Sequence, residues 1–351
     1  MARFISKFLI ILAFIIIGVS VSAQAATISR SSHSECAILI DGTITEGDSK
    51  EFNKLAMDLA LIDGQSDGET WNNASEAICL NSPGGSWLEG RQIAEMTFEF
   101  GITTRILSGD ECLSACSLIF MSGRTRGEEF DGPSRFLNVL GKLGFHGPYL
   151  VPPKDKVYTA SEMHDVSVFQ NRIISDFIRF GSNGYTFSNH VSVAMSLVGE
   201  MLAYGPSEML YADTIERVAR WNISLEGARK EQLLDKQRIF QACENTLAWP
   251  FDRSARTLTE SNYEYEPEVE IKTLGEKTYA TVQFSGDANR TCQIRLGDKT
   301  DSNPILSVES ISVCTDDGER GISTGDCPDF EAYYPSYYAL PPSAPILSLA
   351  E

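Results

Sequence analysis

The most constraining feature of this sequence is one order of elements, strand then turn then helix, which occurs three times before residue 124. The first pass covers residues 36–61, the second 76–101 and the third 102–123. Each begins with a short apolar run, continues through a turn or polar loop, and ends in an apolar or amphipathic segment. This order predicts an α/β fold in which parallel strands are joined by crossover helices.

The middle of the chain is less regular. The polar, glycine-bearing segment 124–142 is predicted to be an exposed excursion. An apolar strand follows at 143–150, and helices are expected near 167–180 and 190–202. The charged segment 222–241 is predicted to be a connecting helix.

Period-two alternation of apolar and polar residues marks the distal part of the chain. It occurs in segments 266–274, 277–286 and 290–297, and it predicts a small antiparallel β unit. The last residues are rich in Pro and Tyr and are predicted to form a flexible tail. The predicted organisation is a signal peptide at 1–25, an α/β domain at 26–225, a helical connector at 226–242, a small β domain at 243–330 and the tail at 331–351.

The first 25 residues have the pattern of an export signal. Arg3 and Lys7 precede a long apolar stretch, which closes on an Ala-Gln-Ala cleavage pattern at 23–25. The alternative is an uncleaved anchor, but the apolar core is short for a span of about 20 residues. We therefore expect a mature protein in the periplasm, outside the membrane.

The net charge limits the classes of partner. Removal of Arg3 and Lys7 with the signal peptide takes the formal charge from -19 to -21. Because nucleic acids and anionic lipid surfaces repel so acidic a chain, neither is expected to bind it.

The turn NSPGGSW, residues 81–87, lies directly after a predicted buried strand and directly before a helix. Gly84 and Gly85 permit a sharp turn with outward N–H groups, where the helix N-terminus adds partial positive charge. Such a turn suits an oxyanion, although an ordinary strand-to-helix connection has the same composition.

Ser114 occupies a second position of this kind, between a polar loop and an apolar helical segment. The N–H of Ala115 is expected to point the same way as that of Gly85, so that the two form an oxyanion hole. A serine nucleophile also needs a base, and the chain has four histidines. Only His146 ends an apolar strand before a Gly-Pro turn, where α/β sheets present side chains at their carboxyl edge.

Four motifs occur in one order: IDGTI followed by GD, then LNSPGGSWLEG, CLSACSLIFMSG and GFHGP. Together they resemble the ClpP/crotonase superfamily, in particular exported ClpP-like proteins with a cysteine-flanked serine, over residues 36–225. The resemblance implies a ClpP/crotonase-like spiral of ββα units, followed here by the small disulfide-braced antiparallel β domain. It also implies a serine peptidase in which Ser114 is the nucleophile, His146 the general base, and the amides of Gly85 and Ala115 the oxyanion hole.

The resemblance places Glu208 at the position of the triad's acid. Glutamate suits this role, since orienting the imidazole and stabilising its cation require only a buried carboxylate at the right distance. Asp213 is the second candidate and Asp165 the third. The sequence departs from the family in the longer stretch between Ser114 and His146, which leaves the approach to the site open.

Eight cysteines in an exported chain predict disulfides. Four lie in the first half and four after residue 240, so each half is expected to bridge internally, with the pairing left open. Cys112 and Cys116 would have α-carbons about 6 Å apart in a helical turn, within bridging range, and would clamp the loop around Ser114. The other disulfide candidates are Cys243, Cys292, Cys314 and Cys327. No metal site is predicted, because zinc prefers CxxC pairs or clustered histidines.

These features predict a periplasmic serine hydrolase, most simply a peptidase, that acts through an acyl-enzyme without a cofactor. Its expected partner is a peptide or an unfolded protein segment, and a homo-oligomer is left open.

The main alternative is a non-catalytic ClpP-like binding or scaffold protein of the cell envelope, since a fold does not dictate a function. Acyl-CoA chemistry of the crotonase kind ranks lower, because export removes the chain from coenzyme A. A Ser-Lys dyad would need Lys142, which lies in the predicted excursion.

Overall fold

The structure is a computed structural model. It describes residues 25–59, 77–125, 132–147, 157–182, 193–205, 208–231, 235–255, 269–274, 276–283, 290–297, 307–315 and 332–350. The predicted signal peptide as far as residue 24, Cys327 and the side chain of Cys314 lie outside the described parts.

The helices and strands follow in three groups along the chain. Up to residue 147 they are β1 (Thr27–Arg30), β2 (Ile38–Asp41), α1 (Asp48–Asp58), β3 (Ala77–Asn81), α2 (Trp87–Phe100), β4 (Thr103–Ile106), β5 (Glu111–Leu113), α3 (Ala115–Met121), β6 (Arg124–Thr125), β7 (Gly132–Pro133), β8 (Arg135–Asn138) and β9 (Lys142–Phe145). The middle group is α4 (Ala160–Ser182), α5 (Met195–Met201), β10 (Leu210–Tyr211), α6 (Ile215–Arg220), β11 (Ser224–Glu226) and α7 (Lys236–Ala248). The last is β12 (Val269–Leu274), β13 (Lys277–Gln283), β14 (Arg290–Leu296), β15 (Val308–Thr315) and β16 (Ala332–Tyr334), with 3₁₀ turns at Trp249–Phe251, Ser336–Ala339 and Ile346–Leu349.

The main sheet has six strands in the order β1-β2-β3-β4-β8-β11. All neighbours from β2 to β11 pair in parallel, and β1 is an antiparallel edge strand. At its centre, Ala77, Ile78, Cys79 and Leu80 of β3 are at most 1% exposed, as expected for a parallel strand covered on both faces. The predicted α/β class with a parallel sheet is confirmed.

A second, smaller sheet carries the predicted site. Its order is β10-β9-β5, with β5 parallel to β9 and β10 antiparallel to it. Because β5 follows β4 and β9 follows β8, two main-sheet strands each continue into a short strand of this second sheet. An isolated bridge between Ser82 and Cys112 connects it to the Gly-Gly turn, and a second bridge, between Ile44 and Gly85, connects that turn to the segment after β2.

The prediction of an exposed excursion at 124–142 is wrong, because this segment contains β8, an interior strand of the main sheet. The reason is Arg135, which is only 2% exposed. Its guanidinium group donates hydrogen bonds to the carbonyls of Gly123 (3.3 Å) and Trp221 (3.2 Å). An arginine in the sequence predicts an exposed position, but these hydrogen bonds allow the charged side chain of Arg135 to lie in the core.

The prediction of one connecting helix over 222–241 is also wrong. Its first part forms β11, which pairs in parallel with β8 at the edge of the main sheet. The helix begins only at Lys236, where the side chain of Asp235 accepts a hydrogen bond from the N–H of Arg238 at 2.9 Å. This N-cap defines the start of α7.

The predicted antiparallel β unit is confirmed, with five strands in the order β12-β13-β14-β15-β16. Helix α7 packs against β13, β14 and β15. No helix of the described residues is long and apolar enough to cross a membrane.

The C-terminal segment differs from the predicted flexible tail. Strand β16 pairs with β15, and Tyr337, Tyr338 and Leu349 are buried. The N–H of Ile215 in α6 donates to the carbonyl of Ala344 at 2.9 Å. The tyrosines that suggested an exposed tail instead pack between the β unit and the α/β part.

Three disulfides join described cysteines. They are Cys36–Cys79 with α-carbons 5.7 Å apart, Cys112–Cys116 at 5.2 Å, and Cys243–Cys292 at 5.7 Å. The predicted Cys112–Cys116 bridge is confirmed, and each of the three pairs lies within one half of the chain. The third is called the α7–β14 bridge below, after the two elements that it joins.

Candidate active site

Ser114 forms the whole connection between β5 and α3. Its backbone has φ 56° and ψ -122°, and it shares positive φ with only two other non-glycine residues of the described chain, Asn222 and Asp252. Such a conformation costs about 1 to 3 kcal/mol and is concentrated at functional sites. A serine in a strained strand-to-helix turn is also the geometry that exposes a nucleophilic hydroxyl. The Ser114 side chain makes no capping hydrogen bond to α3.

The contacts around Ser114 hold this conformation from both sides. Its N–H donates to the carbonyl of Gly144 in β9 at 3.1 Å. Its own carbonyl accepts from the N–H and the Oγ of Ser117, at 3.0 and 2.6 Å. The Cys112–Cys116 bridge spans the turn, and both cysteines are fully buried. The predicted clamp therefore encloses Ser114.

Gly84 lies directly against Ser114. A Cβ on Gly84 would be 2.7 Å from the Ser114 Cβ, 2.6 Å from the Leu113 carbonyl oxygen and 3.1 Å from the Ala115 nitrogen. Only glycine permits this approach, and its φ of 98° also favours glycine. The structure thus brings the Gly-Gly turn and the serine turn together.

The two predicted oxyanion amides, those of Gly85 and Ala115, donate no hydrogen bond to any described residue. On one side of Gly85, Ile44 donates to the Gly84 carbonyl and accepts from the Ser86 N–H, both at 2.8 Å. This parallel bridge leaves the N–H of Gly85 directed away from Ile44. The N–H of Ala115 is the first of α3 and has no acceptor within the helix. One of these donors thus belongs to the residue after Ser114, and the other to the residue after Gly84, which packs against Ser114.

His146 follows β9 immediately, as predicted. Leu113 of β5 is aligned with Gly144 of β9, so Ser114 and His146 both lie just beyond the ends of adjacent parallel strands. The His146 Nδ1 is 2.8 Å from the carbonyl oxygen of Gly147. Because a carbonyl only accepts, Nδ1 carries the proton, and in the neutral imidazole Nε2 keeps the lone pair that a general base requires.

The three predicted acids have different surroundings. Glu208 precedes β10, the strand beside β9, but it is exposed and accepts a hydrogen bond from the N–H of Gly205 at 3.1 Å. Asp213 is paired with Arg217 at 2.9 Å. Asp165 is exposed on α4.

Ser82 is a buried residue of the site that the motif analysis did not single out. Its Oγ accepts from the N–H of Gly84 at 3.1 Å, and its main chain bonds to Glu111 (2.6 Å) and Leu113 (3.0 Å) of β5. A serine whose hydroxyl accepts from the N–H two residues further on closes a common type of turn, and the Ser-Pro-Gly order at Ser82 is a sequence signal for it.

A group of polar side chains lies where β2, β3 and β5 meet. The Asn81 amide donates to Asp41 at 2.7 Å. Burial raises the pKa of Asp110, while His33 opposes and Asp41 adds to that rise. Within the described residues, no group of three or more His, Cys, Asp and Glu side chains is arranged to hold a metal ion.

Comparison with solved structures finds a likeness to a mutant of ClpP1 from Listeria monocytogenes, with 16% sequence identity and a TM-score of 0.33. The match covers 54% of this chain and 90% of that chain. No protein family model and no curated protein matches the sequence. The likeness concerns the fold alone, so the roles of residues rest on the geometry of this chain.

Proposed function

We propose that the chain is a serine hydrolase that acts on peptides through Ser114 and His146. The observation that carries the proposal is the φ of 56° at Ser114, in a turn packed against Gly84. Nothing in ordinary strand-to-helix connections requires a serine in this conformation. The turn is enclosed by hydrogen bonds to Gly144 and Ser117, by the Cys112–Cys116 bridge and by Gly84, which supports a role that needs a fixed hydroxyl.

In this mechanism Nε2 of His146 removes the proton from the Ser114 hydroxyl as the oxygen attacks the peptide carbonyl carbon. The negative charge that develops on the carbonyl oxygen is stabilised by the amides of Gly85 and Ala115. Nε2 then returns the proton to the leaving amine, which departs and leaves an ester on Ser114. Water, deprotonated by the same nitrogen, hydrolyses the ester and restores the serine.

We further propose the setting that the sequence predicts. The chain is exported to the periplasm, where peptides or unfolded protein segments bind in extended form beside the Gly-Gly turn through main-chain hydrogen bonds. In the α/β part, the succession of β4 and β5 and that of β8 and β9 belong to a spiral of ββα units. The distal β unit selects or covers the substrate, and a homo-oligomer is compatible with this arrangement.

Labelling with a fluorophosphonate, which reacts with activated serines, tests the proposal. We expect one adduct per chain, located at Ser114 by peptide mass mapping. Ser114→Ala should abolish the adduct, and His146→Ala should slow its formation by at least about 10²-fold, the usual size of a general-base contribution. A folded wild-type protein that forms no Ser114 adduct would refute the hydrolase.

The second candidate is a non-catalytic binding or scaffold protein. The observation in its favour is that Glu208 and Asp213, the two leading acids, bind Gly205 and Arg217 instead. The same labelling experiment separates the two functions, since a scaffold leaves Ser114 unreactive.

A further inference from the structure

We infer that the main-chain carbonyl of Gly147, rather than a carboxylate side chain, orients the imidazole of His146. The inference rests on the proposed function, in which His146 is the base. It assigns to a backbone atom the positioning role that Glu208, Asp213 and Asp165 were predicted to fill.

The hydrogen bond at His146 has the geometry that the role requires. The 2.8 Å separation between Nδ1 and the Gly147 oxygen is that of a well-formed bond. An orienting acid in a serine hydrolase accepts from the same nitrogen and thereby keeps the lone pair on Nε2. The Gly147 carbonyl selects the same neutral tautomer and restricts the rotation of the ring.

Gly147 is itself held in place by the turn that follows α5. Its N–H donates to the carbonyl of Tyr204 at 3.3 Å. A Cβ on Gly147 would lie 3.3 Å from that oxygen and 3.6 Å from the carbonyl oxygen of Met201. The acceptor is therefore part of a packed main-chain turn, and an added Cβ at this position would require a shift of a few tenths of an ångström between Gly147 and the Tyr204 carbonyl.

The leading carboxylates are engaged elsewhere. The antiparallel pairing of β9 and β10 begins at Leu210, which faces Phe145, so Glu208 lies two residues before the paired strand. Its carboxylate nevertheless closes a turn with the N–H of Gly205 and is exposed to solvent. Glu208 thus lies near the end of the strand pair, and its described hydrogen bond stabilises its own loop.

A carbonyl and a carboxylate have different consequences for catalysis. Both fix the tautomer, but only a carboxylate adds a negative charge that stabilises the imidazolium in the transition state. Exchange of the orienting acid for its amide lowers kcat by about 10⁴ in a Ser-His-Asp enzyme. If Gly147 has the role, the amide exchange at Glu208 should slow labelling by less than about tenfold, because the amide leaves the Nδ1 bond intact.

Two pairs of variants test the inference. Glu208→Gln keeps an oxygen acceptor for the Gly205 N–H, and Asp213→Asn is its counterpart at the second candidate. Gly147→Ala disturbs the acceptor, and its control is Gly199→Ala in α5, where an added Cβ meets nothing within 4 Å. The readouts are the rate of fluorophosphonate labelling and the ¹⁵N spectrum of the imidazoles, which is simple because the chain has four histidines.

We expect the spectrum of neutral His146 to show the proton on Nδ1 in wild type, Glu208→Gln, Asp213→Asn and Gly199→Ala. Gly147→Ala should lose that preference and label at least about tenfold more slowly, the lower part of the range for general-base catalysis. A proton on Nε2 in wild type, or loss of the Nδ1 tautomer in Glu208→Gln, would overturn the inference.

The two proposals fail in different ways. If the wild type forms no adduct at Ser114, the hydrolase is refuted, while the spectrum still decides whether Gly147 orients the ring. If the wild type is labelled and Glu208→Gln labels about 10⁴-fold more slowly, the hydrolase stands and a carboxylate orients His146.

Discussion

Replacement of Gly84 by alanine should lower both the reactivity of Ser114 and the stability of the fold. The new Cβ would lie 2.7 Å from the Ser114 Cβ, a distance that real Cβ atoms do not tolerate. Two of its three neighbours are main-chain atoms, the oxygen of Leu113 and the nitrogen of Ala115, so no rotamer change relieves the contact. The serine turn and the Gly-Gly turn must therefore move apart, and with them the amides of Gly85 and Ala115, the proposed oxyanion hole.

The magnitude has two parts. An L-residue at the φ of 98° loses about 1 to 2 kcal/mol of stability relative to glycine. Forcing a methyl group into a packed position adds about 1 to 3 kcal/mol. We therefore expect Gly84→Ala to lower the free energy of unfolding by about 2 to 5 kcal/mol.

Gly47→Ala is the matched control. Gly47 has a φ of 100°, close to that of Gly84, but an added Cβ there meets nothing within 4 Å. It should lose only the backbone part, about 1 to 2 kcal/mol, and label like wild type.

Urea unfolding and fluorophosphonate labelling, measured on the same samples under folding conditions, decide the outcome. Gly84→Ala should lose at least about 10²-fold in labelling rate, the effect of removing one oxyanion donor. A folded Gly84→Ala protein that labels at the wild-type rate, or an equal loss of stability in Gly84→Ala and Gly47→Ala, would refute the predicted clash at Gly84.

Three further predictions concern the bridges and the titrating groups. Replacing Cys112 and Cys116 by alanine opens a loop of 4 residues and should lower the free energy of unfolding by about 2 kcal/mol and the labelling rate at least about tenfold. Alanines at the α7–β14 bridge, which closes 49 residues, should lower the free energy of unfolding by about 4 kcal/mol and leave the labelling rate unchanged. Slower labelling in the second variant than in the first would contradict the clamp. Burial raises the pKa of Tyr337 to about 12 from 10.0, so its contribution to stability is present below pH 10 and is lost as the pH rises towards 12. In urea unfolding across that range, Tyr337→Phe should remove this share of the alkaline loss, and an unchanged alkaline slope would refute the assignment. Burial also raises the pKa of Asp110, so the charged carboxylate destabilises the folded state at neutral pH. Asp110→Asn should therefore raise Tm at neutral pH and leave it unchanged below pH 3.8, the ordinary pKa of the group, where Asp110 is protonated in both states. An equal shift of Tm at both pH values would contradict this prediction.

The parts of the fold that the sequence predicts correctly are those with strong local signals. The strand β3 is a short apolar run between turn signals, and the turn after it contains two glycines that the packing against Ile44 and Ser114 requires. The four-residue spacing of Cys112 and Cys116 likewise limits their separation, so their bridge could be anticipated. These features depend on residues that are close in sequence.

The parts that it misses depend on contacts distant in sequence. Strand β5 has three residues and β11 has three, too few for a periodic pattern. Arg135 lies in the core because the carbonyl of Trp221, 86 residues further along the chain, accepts a hydrogen bond from it. The Nδ1 of His146 is bonded to the main-chain oxygen of Gly147, an acceptor that every residue has and that no sequence pattern distinguishes.

We expect the C-terminal segment to join the main sheet and the distal five-stranded sheet into one cooperative unit. It adds β16 to the distal sheet, and it also bonds to α6 and, through the N–H of Arg229 and the carbonyl of Leu349, to the loop after β11. A single apolar cluster includes residues of both sheets and of this segment. Heat should therefore melt the α/β part and the β unit in one calorimetric transition, and removal of the last 20 or so residues should split that transition in two.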